Sequence, residues 1–170
     1  MKQIIQIGFY LLLISCKQDT NSNSITRIKE SNIKTIFNKP INLVFIWTTW
    51  CGVSKSILSD TYTQLQKDSN QYNIIIICGN DDEIGIENKL NDLQFKKYVI
   101  SNATDYFPFI DRLNIKDFIT TKFKNTNDIK LEGSFGIPIS ILVDSSLNVL
   151  NSNMPQDTLN IHRIINDLKK

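Results

Sequence analysis

The residues best suited to chemistry in this chain lie where a predicted buried strand meets a helix. Leu43 to Trp47 are five consecutive apolar residues, which is typical of a strand buried on both faces. After Gly52 the apolar residues recur at helical spacing, so Cys51 is predicted to lie at or just before a helix N-terminus. The free N–H groups and the positive dipole end there favour a thiolate, and Lys55, one turn later, adds to that bias. We therefore interpret Cys51 as a reactive nucleophile.

The residues around this cysteine resemble the thioredoxin active site, whose usual form is Trp-Cys-Gly-Pro-Cys-Lys. Four residues of that pattern are present here, namely Trp50, Cys51, Gly52 and Lys55. A second thioredoxin hallmark follows much later, where Gly136, Ile137 and Pro138 precede an apolar run. Over about residues 40 to 168, the chain resembles the TlpA/ResA-like membrane-anchored thiol-disulfide oxidoreductases.

That resemblance implies an α/β protein with a thioredoxin-like fold, which is a central mixed sheet with helices on both faces. It also implies that Pro138 is cis, opens a strand and faces Cys51. A client segment that contains a cysteine would lie there as an added strand. The residues that would form this surface are Trp50, Gly52, Ile137 and Pro138.

Three positions depart from the family pattern. Ser54 replaces the second cysteine, Val53 replaces the proline between the cysteines, and Phe45 stands where the family has a buried acid. A second thiol resolves a mixed disulfide quickly, because well-oriented groups reach effective molarities of about 10⁵ M. Ser54 can hydrogen-bond a Cys51 thiolate but cannot resolve a mixed disulfide, so Cys51 would depend on an external thiol.

Cys78 is a second candidate for the resolving role. It ends the predicted strand from Ile74 to Cys78, beside the strand that leads to Cys51. Adjacent strands lie about 4.8 Å apart, so the two Cα atoms could come within the disulfide reach of about 7 Å. The alternative is that Cys78 is a small buried apolar residue, which is the commonest role of a free cysteine.

These residues leave more than one function open. The first is thiol-disulfide exchange on protein thiol or disulfide clients, supported by an external thiol or a redox partner protein. The second is a redox-inactive binding module that holds a protein partner at the Pro138 face. Thr48-x-x-Cys51 also echoes the peroxiredoxin motif, but the proline that family has before the threonine is absent, and Trp50 and Gly52 match thioredoxin instead.

The N-terminus has the pattern of a bacterial lipoprotein signal. Lys2 precedes a short apolar segment from Ile4 to Ile14, which is too short for a transmembrane helix. Leu13 to Cys16 matches the lipobox, which predicts cleavage before Cys16 and lipidation of its thiol. A plain secretory signal and an uncleaved anchor are the alternatives.

A division of the chain follows from this signal. We expect a signal peptide at 1–15, a polar tether at 16–24 and a thioredoxin-like domain at 25–170. The domain would be held in the cell envelope by its lipid and would face the periplasm.

Composition argues against several other classes of protein. The net charge is +2 and the lysines are scattered, so there is no nucleic-acid footprint. With three cysteines and one histidine, no zinc or haem ligand set is available, and we expect no metal and no cofactor. The acidic run at 79–83 is interpreted as a turn, and His162 as a surface or boundary residue. We expect one domain and a monomer.

The predicted order of elements is α, β, α, β, α, β, α, β, β, α. The predicted helices cover residues 25–37, 52–66, 83–93, 114–123 and 156–169, and the predicted strands cover 43–47, 74–78, 97–101, 139–143 and 147–150.

Overall fold

The structure is a computed structural model that describes residues 25–67, 72–80, 82–90, 93, 96–100, 108–129, 136–152 and 158–168. Within these ranges, six strands form one sheet in the order β1-β4-β3-β2-β5-β6. The strands are β1 (Ile25–Arg27), β2 (Asn42–Trp47), β3 (Asn73–Cys78), β4 (Lys97–Val99), β5 (Ile139–Val143) and β6 (Val149–Asn151). The helices are α1 (Glu30–Ile36), α2 (Gly52–Ile57), α3 (Thr63–Lys67), α4 (Glu83–Leu90), α5 (Pro108–Lys122) and α6 (Thr158–Asp167). A π-helical segment (Leu58–Tyr62) joins α2 to α3, and a 3-10 helix (Thr126–Asp128) follows α5.

The centre of the sheet brings three strand ends to one edge. β2 and β3 are parallel, and their last registered pair is Trp47 with Cys78. β5 runs antiparallel to β2 on its other side, with Ile139 opposite Ile46. The C-terminal ends of β2 and β3 and the N-terminal end of β5 therefore meet, as the predicted parallel crossover requires.

Helices cover both faces of this sheet, as the thioredoxin-like fold predicts. Successive side chains of a strand point to opposite faces, and β2 follows this rule. Its odd-numbered residues join one hydrophobic cluster, which also holds the buried residues of α3, α4 and α6. Val44 and Ile46 join a second cluster, which holds those of α1 and α5. The strand is buried on both sides because each face has its own helical layer.

The prediction of a helix over 25–37 is wrong in its first residues. Ile25–Arg27 form the edge strand β1, which is parallel to β4 with Ile25 opposite Lys97. The backbone N–H of Ile28 then donates to the oxygen of Val99 at 2.9 Å, and α1 begins only at Glu30. The backbone groups of Ile25–Arg27 form hydrogen bonds with the edge of β4, and these bonds replace the ones that a helix would have provided. Periodicity within the segment could not reveal that neighbour.

α5 also differs from its prediction, because it begins at Pro108 rather than Asn114. Proline is well suited to a first helical position, where its missing N–H has no helical acceptor. The helix packs closely on the end of β3. A Cβ atom on Gly79 would lie 2.3 Å from Cδ1 of Ile115, so any larger residue there would force the buried Ile115 side chain to shift. Among the described residues, no helix is both long and apolar enough to cross a membrane.

Candidate functional site

The residues between β2 and α2 fold into a tight turn. The backbone N–H of Cys51 donates to the oxygen of Thr48 at 3.1 Å, which closes the turn. Cys51 is the N-cap residue of α2, with extended backbone angles (φ −81°, ψ 106°). Helical backbone then continues from Gly52 through the π-helical segment to Lys67. The predicted position of Cys51 at a helix N-terminus is confirmed.

The Cys51 thiol faces the backbone that precedes β5. Its sulfur donates to the backbone oxygen of Ile137 at 3.3 Å, and the Ile137–Pro138 peptide bond is cis. Cys51 is 9% exposed, whereas Val53, in the first turn of α2, is 63% exposed. Of the other predicted surface residues, Trp50, Ile137 and Pro138 are half-buried and Gly52 is exposed. The structure therefore places Ile137, one of the predicted surface residues, against the Cys51 sulfur.

Ser54 and Lys55 lie on different sides of α2. Lys55 is exposed, whereas Ser54 is fully buried. The backbone N–H of Ser54 donates to the oxygen of Cys51 at 3.4 Å, but the Ser54 hydroxyl has no hydrogen-bond partner within the described residues. Leaving a buried hydroxyl unpartnered costs about 1–3 kcal/mol. Among the described residues, the Ser54 hydroxyl therefore makes no hydrogen bond to the Cys51 sulfur.

Cys78 is 1% exposed and belongs to the core cluster on the α2–α3 face. Its sulfur donates to Oδ1 of Asn80 at 3.1 Å, whereas the Cys51 sulfur donates to Ile137. Both cysteines are free thiols. The structure places them at the same sheet edge, with their hydrogen bonds directed to different acceptors.

Asn80 is a residue at this edge that the sequence analysis did not single out. It is buried, and its side-chain amide makes two hydrogen bonds to Thr49 in the turn before Cys51. The acidic run around it suggested only a solvated turn. The available signal was its place just after β3, where polar side chains of a parallel sheet converge with those of the neighbouring strand.

The position of the family's buried acid is filled by an aromatic cluster. Phe45 is fully buried, and its ring centroid lies 4.6 Å from that of Tyr62. The Tyr62 hydroxyl is 2.9 Å from Oγ of Ser140, the residue opposite Phe45 in the sheet. Burial raises the pKa of Tyr62, against the smaller opposing effect of the Ser140 bond. Tyr62 is therefore a neutral phenol near neutral pH, and this cluster contains no carboxylate.

Other candidate groups lie away from the Cys51 turn. His162 is half-buried, and its ring centroid lies 6.3 Å from that of Tyr72, which precedes β3 at the opposite end of the sheet. Within the part of the chain that the structure describes, no group of three or more His, Cys, Asp or Glu side chains is arranged to hold a metal ion. Cys16 lies outside the described residues.

Comparisons with known proteins point to one fold. No protein-family model matches the sequence, and no curated protein sequence matches it. Among solved structures, a thioredoxin-family thiol:disulfide interchange protein from Chlorobium tepidum is similar, with 20% identity and a TM-score of 0.52 over 78% of this chain and 81% of that chain. The thioredoxin domain of a thiol-disulfide oxidoreductase from Bacteroides vulgatus has 11% identity and a TM-score of 0.54, over 84% of this chain and 86% of that one.

A thioredoxin-related protein from Neisseria meningitidis has 12% identity and a TM-score of 0.51, over 77% of this chain and 86% of that chain. Identities this low establish the fold alone. The sheet order, the cis-proline before β5 and these likenesses agree, and the chain has a thioredoxin-like fold.

Proposed function

We propose that this protein carries out thiol-disulfide exchange on protein clients, with Cys51 as the nucleophile. One observation carries the proposal: the Cys51 sulfur lies 3.3 Å from the oxygen of Ile137, directly before cis-Pro138. A client strand laid along that backbone would bring its own sulfur to Cys51. Cys51 is the N-cap residue of α2, and the N-terminus of a helix favours negative charge.

The reaction would use one protein thiol. The Cys51 thiolate attacks one sulfur of a client disulfide, forming a new S–S bond, and the second client sulfur leaves as a thiolate that takes a proton from water. An external thiolate then attacks the Cys51 sulfur and releases the reduced client. A second external thiol regenerates Cys51 and leaves as the external disulfide, so that two external thiols supply the two electrons.

Resolution by Cys78 is the alternative route, and the geometry favours it less. Cys78 is almost fully buried, and its thiol donates to Asn80 rather than toward Cys51. In the register of β2 and β3, its neighbour is Trp47, which precedes Cys51 by four residues. We therefore propose an external thiol as the resolving group.

The finer family assignment and the cellular address are part of the proposal. The Trp50 to Lys55 motif, with Pro138 far later in the chain, supports a TlpA/ResA-like oxidoreductase with a Cys-x-x-Ser variant site. The lipobox ending at Cys16 supports a lipoprotein anchored in the cell envelope, with its domain facing the periplasm. An oxidising compartment of that kind supplies disulfide-bonded clients.

The test is reduction of a disulfide-bonded peptide by the protein in the presence and absence of glutathione. We expect catalysed reduction only when glutathione is present, and none with Cys51→Ser. Reduction by Cys51→Ser would contradict the proposal.

A binding module is the second candidate, supported by the loss of both the second cysteine and the acid. That candidate predicts peptide binding by wild type and Cys51→Ser alike, with no catalysed reduction by either.

A further inference from the structure

One buried side chain at the end of β3 holds the turn that carries Cys51. Asn80 is 5% exposed. Its Oδ1 accepts the backbone N–H of Thr49 at 3.0 Å, and its Nδ2 donates to the Thr49 hydroxyl oxygen at 2.8 Å. The two ends of one amide therefore bind one residue, two positions before the nucleophile.

Thr49 is well placed to transmit this restraint. It lies inside the turn closed by the bond from the Cys51 N–H to the Thr48 oxygen. One backbone bond continues the pairing just past the two strands, from the Gly79 N–H to the Trp47 oxygen at 2.7 Å. Beyond that point, Asn80 continues the connection through its side chain. The turn is thus held to β3 by a side chain where the regular pairing of the strands has ended.

Cys78 makes a further contact with the Asn80 amide. Its thiol donates to the same Oδ1 at 3.1 Å, so that this oxygen receives two donors. If the amide were reversed, its NH₂ group would face the Thr49 N–H, which can only donate and would lose its acceptor, whereas the Cys78 sulfur could still accept weakly. The hydrogen bonds therefore select one orientation, in which Nδ2 points to the Thr49 hydroxyl.

We propose that Asn80 is a positioning residue for Cys51, oriented by the Thr49 N–H and also contacted by the Cys78 thiol. Through Thr49 it holds the turn so that the sulfur stays at the start of α2 and beside Ile137. The role in exchange rests on the proposed function, whereas the positioning itself can be measured without a client. Cys78 then has a role that does not require it to form a disulfide.

The test measures the alkylation rate of Cys51 by iodoacetamide across pH, with Cys51 and Cys78 separated by peptide mass spectrometry. In Asn80→Ala we expect the alkylation rate of Cys51 at neutral pH to fall about tenfold, because the displaced sulfur leaves its position at the start of α2. Asn42→Ala is the matched control. Like Asn80, Asn42 is buried, and its side chain donates to the backbone oxygens of Lys39 and Val143 at the other end of β2.

Cys51 in Asn42→Ala should be alkylated within about twofold of the wild-type rate, since its exposure and the charge around it are unchanged. The comparison is made where Asn42→Ala and Asn80→Ala lose equal free energy of unfolding in urea. Equal profiles for Asn80→Ala and Asn42→Ala would overturn the inference. If Asn80→Ala does not fold, Thr49→Val and Thr49→Ser decide the matter. The serine variant keeps the hydroxyl and should react as wild type, whereas the valine variant should slow. Equal rates for these two would contradict the role of Asn80.

The proposed function and the positioning role can fail separately. If wild-type Cys51 forms no mixed disulfide with a client peptide, the exchange proposal fails. The alkylation profiles of the variants still decide whether Asn80 positions the sulfur.

Discussion

The sulfur of Cys51 lies 3.3 Å from the backbone oxygen of Ile137, although 86 positions separate the two residues. The antiparallel pairing of β5 with β2 produces this contact, because it brings the start of β5 to the end of β2. Any segment that pairs with the backbone before β5 would thereby lie beside the thiol. The contact between Cys51 and Ile137 therefore explains how the sheet pairing could bring a client sulfur to the nucleophile.

Ser54→Cys should convert the single-thiol site into a dithiol site. Ser54 is fully buried in the first turn of α2, after Cys51. A thiol there would attack the mixed disulfide at Cys51 intramolecularly and release the client without external thiol. The lifetime of the mixed disulfide, followed by mass spectrometry without reductant, should fall at least about 100-fold.

The matched control for that substitution is Ser56→Cys. Ser56 is exposed on the same helix, so the variant adds a thiol without placing it at the buried position. Its mixed disulfide should last as long as that of wild type. An equally long-lived adduct in Ser54→Cys would show that the position cannot resolve the disulfide.

Phe45→Ala should strongly destabilise the domain. The ring is fully buried against Tyr62, and its removal leaves a cavity between β2 and the π-helical segment. We expect the free energy of unfolding in urea to fall by about 3–5 kcal/mol. Val53→Ala at the exposed surface should change it by less than about 0.5 kcal/mol. A loss below about 1 kcal/mol for Phe45→Ala would contradict the described packing.

Asp144 should make stability depend on acid pH. Partial burial acts to raise the pKa of its carboxyl, but bonds from Asn148 and Ser146 and the nearby Lys124 lower it on balance below 3.8. The charged form is therefore favoured by folding. The charged Asp144 carboxyl therefore raises the free energy of unfolding at neutral pH. This stabilisation is lost as pH falls through the lowered pKa of Asp144.

Asp144→Asn tests this pH dependence by urea unfolding from neutral to acid pH. Wild type should be more stable than the variant near neutral pH, and the difference should shrink below about pH 4. Asp117→Asn, on the exposed side of α5, controls for the loss of one carboxylate. If the stability difference between wild type and Asp144→Asn grew as pH fell, the pKa of Asp144 would not be lowered by folding.

Cys16→Ser tests the proposed lipid anchor. If the lipobox is processed, the wild-type chain should partition into the detergent phase and carry a lipid mass on Cys16. The variant should remain unlipidated and enter the aqueous phase. Cys51→Ser, which leaves the lipobox intact, should partition like wild type. Equal partitioning of Cys16→Ser and wild type into detergent would favour an uncleaved anchor instead.

Sequence predicted the elements whose patterns are local. The isoleucine run of β3, the helical period after Gly52 and the hairpin of β5 and β6 are each determined by neighbouring residues. The strand at 25–27 was missed because its partner β4 lies about 70 residues later in the chain. The π-helical segment had no sequence signal, since its apolar spacing fits a regular helix.

The site divides in the same way. Cys51, Ser54 and Pro138 could be found because two short motifs identify a fold that brings them together. Asn80 could not, because its role depends on its side chain reaching across from β3 to the turn at Thr49. An asparagine at a strand end can have several structural roles, and only its hydrogen-bond partners show which one it has.

The most direct test of the account is to map the adduct that forms when reduced protein meets a disulfide-bonded peptide. Mass spectrometry without reductant should find one peptide attached through Cys51. The adduct should persist until glutathione is added, be absent in Cys51→Ser and still form in Cys78→Ala. An adduct on Cys78, or none on wild type under conditions where the peptide binds, would contradict Cys51 as the nucleophile.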